Sequence, residues 1–168
     1  MINDGDAAGV AEMRWGAGQG RGGLVIMVTL GTGIGTALFI DGALVPNTEL
    51  GHLVIRDEDA EARASAGARE EQQLSWAAWA ALVDEYLRYV ERLFSPDLFI
   101  LGGGVSERAD RFVPLLTVRA EVVPAAMETP NATGSNSNGC GPTYHVGGGT
   151  ARPANALAHR SVQPRATA

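Results

Sequence analysis

The sequence predicts an α/β domain in which a three-stranded antiparallel meander leads into a long helix and then a parallel strand. Three observations carry this. Leu24-Val-Ile-Met-Val-Thr-Leu30 is an uninterrupted β-prone run, the pattern of a strand covered on both faces. Asp41-Gly42 stands between "TALFI" and "ALV", a strong hairpin signal. In "WAAWAALVDEYLRYVERLF", Trp76, Trp79, Val83, Tyr86, Val90 and Leu93 recur at helical spacing.

The elements follow in order. Asn3, Asp4 and Asp6 suit an N-cap or first turn, and "DAAGVAEMRWG" reads as a short helix closing at Gly16. Residues 16–23, "GAGQGRGG", form a connector. The meander comes next, and residues 56–73, charged and alanine-rich, read as a loop with a helical piece. Ser75 caps the long helix and Ser95-Pro96 stops it. "DLFILGGGVSERADRFVPLL" then gives a short buried strand, three glycines and a further helix. Residues 128–168 lack apolar periodicity and are crowded with Gly, Pro, Asn, Ser and Thr, so disorder is expected there. No internal repeat is evident.

Composition sets the bounds. With 168 residues and 45% hydrophobic content, the chain can build one ordinary core. The run Leu24 to Leu30 is far too short to span a bilayer, and the start of the chain has no signal-peptide pattern, so a cytoplasmic location without membrane partners is expected. Cys140 is the single cysteine, which excludes an internal disulfide and a Cys-rich zinc site. A net charge of -6 argues against nucleic acid as a partner. Lysine is absent, so anions must be met by arginine or by backbone N–H groups.

"LGTGIGTALFIDG", residues 30–42, follows a strand and so suggests a phosphate loop. A dinucleotide loop needs a helix directly after its glycines, whereas a strand follows here. A Walker loop needs Gly-Lys-Ser/Thr, which is missing. A glycine turn between antiparallel strands remains, whose N–H groups and threonine hydroxyls can face a phosphate. Read locally, it is equally a tight hairpin with no ligand, and Asn3-Asp4 is equally a simple helix cap.

Three stretches, "NDGDAAGVAEMRWGAG", "VTLGTGIGTALFIDGALVPNTELGHL" and "SPDLFILGGGVS", in this order and spacing, closely resemble the polyphosphate glucokinases of the ROK (repressor, open reading frame, kinase) family. The resemblance covers roughly residues 2–125. It implies a ribonuclease-H-like domain of the actin-like ATPase and sugar-kinase superfamily, and transfer of a phosphoryl group from polyphosphate or ATP to the 6-hydroxyl of glucose with Mg²⁺ assisting. It further implies Asp4 as the catalytic base and Asn3, Glu49 and His52 as sugar ligands. Thr32, Gly33, Gly35 and Thr36 would form the phosphate-cradling turn, and Gly102, Gly103 and Gly104 the nucleotide-side loop. A homodimer is compatible with the family, and no zinc is expected, since residues 53–73 contain no cysteine.

On this reading residues 1–23 open the domain with the catalytic loop and short helix, 24–127 form the second ribonuclease-H-like domain of such a kinase, and 128–168 form the tail. The family pattern places another domain before this one and a helix after "VVPAAM", so the chain is expected to be an incomplete fragment, and its tail is of the kind a shifted reading frame in a GC-rich gene could produce. Asp4-Gly5-Asp6 departs from the family's Asp-Ala-Asp. Two functions compete: a glucokinase, or an inactive remnant or half that pairs with a separately encoded first domain. The repressor branch of the family is disfavoured because no helix-turn-helix precedes the domain. Arg108, Arg111 and Arg119 read as a solvated face before they read as a guide for an anionic polymer.

Overall fold

Asp4 and Asp6 place acidic groups in the first turn of helix α1 (Asp4–Trp15), complementing its dipole. This computed structural model describes residues 4–127; Asn3 and the tail 128–168 lie outside the described residues. After α1 come strands β1 (Leu24–Leu30), β2 (Ile34–Ile40) and β3 (Ala43–Val45). Asp41 and Gly42 both hold positive φ, 48° and 80°, as the tight hairpin between β2 and β3 requires. A 3-10 turn at Leu50–His52 leads to the small hairpin of β4 (Val54–Ile55) and β5 (Glu58–Asp59). Helices α2 (Ala60–Ala64), α3 (Ala66–Glu71) and α4 (Trp76–Phe94) follow, capped by the side chains of Asp59, Ser65 and Ser75. Strand β6 (Leu98–Gly102) and strand β7 (Glu121–Pro124) complete the described fold.

The sheet order is β3-β2-β1-β6-β7. The β1–β2 and β2–β3 pairs are antiparallel; β6 runs parallel to β1, and β7 parallel to β6. Both faces are covered, which explains the continuous apolar run of β1. Val25, Met27, Ala37, Phe39, Leu98 and Ile100 face α1. Ile26, Val28, Leu30, Leu38, Phe99 and Leu101 face α4, where Trp79, Val83, Tyr86, Leu87 and Val90 are buried. Each large apolar side chain of this core contributes about 1.5–3 kcal/mol by leaving water. Leu93, which shares the helical spacing, is instead 56% exposed near the end of α4.

Two elements differ from expectation. The segment after the three glycines is not an α-helix but 3-10 turns at Gly104–Arg111 and Val113–Leu115, with a break at Arg108. Ser106 turns back on Gly103 through its side chain at 2.8 Å and its N–H at 3.0 Å, and Pro114 removes a donor. Phe112 anchors this segment by packing at 5.0 Å on Trp79 and stacking on Trp76. Strand β7, unread in the sequence, is only four residues long and exists by pairing with β6. No helix among the described residues is long and apolar enough to cross a membrane.

Candidate functional site

The glycine turn between β1 and β2 sits where the parallel strands β1 and β6 end. Thr29 pairs with Gly102, and Gly103 carries a φ of 90° with its Cα hydrogens against the backbone of Leu30. A side chain at Gly103 would meet that backbone, so position 103 can lie beside the turn only as glycine. The carboxyl ends of parallel strands are where α/β sheets present ligand sites. The two stretches expected to face phosphate and nucleotide are thus neighbours.

The turn is gripped from behind. Gly31 N–H donates to Gly33 O at 2.9 Å, Gly67 N–H at the start of α3 donates to Gly31 O at 3.0 Å, and Ile34 N–H donates to the Glu61 carboxylate at 2.9 Å. The N–H groups of Thr32 and Gly33 have no hydrogen bond among the described residues. Free N–H groups at the tip of a fixed turn are what an anion can use. Thr32 is exposed.

Asp4 is exposed at the first position of α1, and α1 approaches the same turn. A Cβ added at Gly35 would lie 2.5 Å from Thr29 Oγ1 and 3.9 Å from the Cα of Gly5, the neighbour of Asp4. The helix continues along β2, with Gly9 against Ala37 and Phe39. Asp6, two positions on, is 1% exposed.

Glu49 and His52 are carried by the 3-10 turn Leu50–His52, both exposed. The buried Gly51 between them rests on the Ile34 backbone carbonyl, so the ELGH turn is seated on the start of β2. Thr36 ties it there. Its hydroxyl donates to Thr48 O at 2.9 Å and accepts from Leu50 N–H at 3.1 Å, while the residue is 2% exposed. The sequence reading placed Thr36 in the phosphate cradle; the structure commits its hydroxyl to the loop that carries Glu49.

His52 Nδ1 lies 3.1 Å from Asp59 Oδ2. That hydrogen bond, and then the charge of Asp59, hold His52 above its usual range, with smaller help from Glu61 and Glu49. The same bond holds Asp59 below its usual range. Asp59 and Glu61 were missed in the sequence. The available signal was an Asp ahead of an alanine-rich helical piece, an N-cap pattern. No group of three or more His, Cys, Asp or Glu side chains that could hold a metal occurs among the described residues.

A scan against protein-family models finds no match. Over 128 residues the chain is 48% identical to the polyphosphate glucokinase of Mycobacterium tuberculosis, covering 76% of this chain and 48% of that protein. It is 46% identical to the polyphosphate glucokinase of Mycobacterium leprae, covering 76% of this chain and 40% of that protein. Among solved structures, an inorganic polyphosphate/ATP-glucomannokinase from Arthrobacter sp. superposes with a TM-score of 0.75 at 56% identity, covering 76% of this chain and 51% of that one. A glucokinase of Streptomyces griseus, in complex with glucose and AMPPNP, superposes with a TM-score of 0.63 at 25% identity over 77% of this chain and 64% of that one. The chain spans about half the length of the curated relatives it matches.

Proposed function

The chain belongs to the ROK family of sugar kinases, beside its polyphosphate glucokinases, and from that premise we propose that it supplies the sugar-binding and base-bearing part of a cytoplasmic glucokinase. The donor is polyphosphate or ATP and the acceptor is the 6-hydroxyl of glucose. The observation that carries the reading is convergence: the start of α1, the amides of the Thr32-Gly33 tip, the ELGH turn and the Gly102–Gly104 loop all adjoin one end of the β1–β2 hairpin.

Each group has a task. Glu49 and His52, with Asn3, hold glucose hydroxyls, the carboxylate accepting and the imidazole using its outward nitrogen. The bare amides of Thr32 and Gly33 meet the transferring phosphoryl group, and Gly102, Gly103 and Gly104 leave room for a nucleotide beside it. The O6–phosphorus bond forms as the bond to the donor's bridging oxygen breaks, and Asp4 accepts the proton leaving O6. The described residues do not build a protein cage for Mg²⁺; the ion's role in such chemistry is to neutralise the phosphates that carry it.

The test is glucose 6-phosphate formation with each donor, by this chain alone and by this chain joined to the part of the M. tuberculosis relative that it does not match. Transfer that depends on Asp4 supports the kinase reading. Glucose binding with no transfer in either form favours the second reading, an inactive remnant.

A further inference from the structure

The start of α2 reaches both halves of this site. The Asp59 carboxylate uses its two oxygens separately: Oδ1 accepts from Glu61 N–H at 2.9 Å, and Oδ2 lies 3.1 Å from His52 Nδ1. The residue it fixes, Glu61, sends its own carboxylate to Ile34 N–H at 2.9 Å and against Gly33. Ala60 N–H, between them, donates to Leu53 O at 2.9 Å, which closes the ELGH turn onto the same point.

We propose that Asp59 and Glu61 form a positioning bracket, Asp59 presenting the His52 ring to the sugar and Glu61 fixing the glycine turn, so that acceptor and donor sites are held in one register. Neither residue touches the reacting atoms. The inference rests on the reading of His52 as a sugar ligand and of the glycine turn as the phosphate-facing element.

The geometry dictates an order of dependence. Asp59 orients Glu61 through its cap and takes the His52 ring bond itself, whereas Glu61 reaches His52 only through a smaller effect of its charge. With Nδ1–H donating to a carboxylate, the outward Nε2 of neutral His52 is an acceptor for a sugar hydroxyl. An asparagine at 59 can keep the cap through its oxygen but turns its NH₂ toward Nδ1, which forces the opposite tautomer.

The experiment uses the full chain without ligand, reading the His52 ring tautomer and the Ile34 amide exchange rate by NMR, with His52→Gln identifying the ring signal among the three histidines. In the parent chain the Nδ1–H tautomer is expected. Asp59→Asn should switch the tautomer and leave Ile34 protected, while Asp59→Ala should lose the tautomer bias and speed Ile34 exchange about tenfold. Glu61→Ala should speed that exchange with the tautomer unchanged, and Glu61→Gln should restore protection. Glucose titration should then show affinity about five- to tenfold weaker in both Asp59 variants. A tautomer indifferent to Asp59→Asn, or Ile34 exchange indifferent to Glu61→Ala, overturns the bracket. A parent chain whose His52 signal ignores glucose overturns the sugar reading instead, since the tautomer and exchange data are taken without sugar.

Discussion

The carboxylate of Glu12 accepts the backbone N–H of Met127 at 2.7 Å, joining the middle of α1 to the chain just beyond β7. The same carboxylate accepts from Ala17 N–H at 2.7 Å and Ala126 N–H at 3.2 Å, and Glu12 is 1% exposed. One side chain thus ties the turn that follows α1 to the last described residues. Glu12→Gln replaces one oxygen with an NH₂ facing backbone donors and is expected to cost about 2–3 kcal/mol, the penalty of buried groups left unpaired. Urea unfolding monitored at the tryptophans would measure it. A loss below a few tenths of a kcal/mol would show that water replaces the carboxylate.

Gly51→Ala tests the seating of the ELGH turn. A methyl group there runs into the Ile34 carbonyl, which belongs to the β1–β2 hairpin and cannot give way cheaply. The expected result is about 1–3 kcal/mol of destabilisation together with weaker glucose binding. A variant equal to the parent in both melting and glucose titration would contradict the packing described.

Thr36→Val keeps the shape of a buried side chain and strands two partners, Thr48 O and Leu50 N–H. The outcome should be about 1–3 kcal/mol of lost stability and a loosened ELGH turn, while Thr36→Ser retains most of both. If the hydroxyl served the phosphate instead, Thr36→Val would affect the donor and spare glucose, so titrating each ligand separately decides between the roles.

These positions show how much the sequence discloses. The meander, the turn at Asp41-Gly42 and α4 were legible because each depends on local signals: a two-sided apolar run, positive φ at two adjacent residues, and a buried stripe from Trp79 to Val90. Strand β7 and the hairpin of β4 and β5 were not, since four- and two-residue strands are made by their partners. The bracket of Asp59 and Glu61 escaped for a similar reason. A capping aspartate is visible in sequence, but its second oxygen finds His52 only when the chain folds back. Thr36 was placed correctly in the turn's strand, yet its hydroxyl faces inward, a direction that spacing near glycines does not fix.

The His52–Asp59 pair predicts a pH dependence of definite sign. His52 is held above its ordinary 6.5, so its charged form is favoured in the folded chain. The stabilisation is complete below 6.5 and is lost as pH rises through the raised folded value; on the acid side it is lost as pH falls through the lowered value of Asp59. Both side chains are exposed, at 60% and 42%, so salt should weaken the effect. An NMR titration should place the His52 midpoint above 6.5 and return it toward that value in Asp59→Asn. A midpoint at or below 6.5 in the parent chain would rule out the pairing in solution.

Asp4 carries the heaviest chemical assignment and the sharpest prediction. It stands exposed on the first position of α1, where Gly5 brings the chain against Gly35 of the β1–β2 hairpin. Asp4→Asn keeps the size and hydrogen-bonding reach of the side chain but cannot take a proton. A general base contributes about 10²–10⁴ in rate, so turnover in an active assembly should fall by that factor while glucose affinity changes little. The chain alone is expected to transfer little or no phosphate. A phosphoryl group must be clamped on both sides, and loss of positioning is worth about 7–11 kcal/mol. Joining the chain to the unmatched part of the M. tuberculosis relative should raise glucose 6-phosphate formation, with polyphosphate and ATP compared side by side. If the joined protein turns over equally well with Asp4→Asn, the base lies elsewhere; robust turnover by the chain alone would mean that one wall of the cleft is enough.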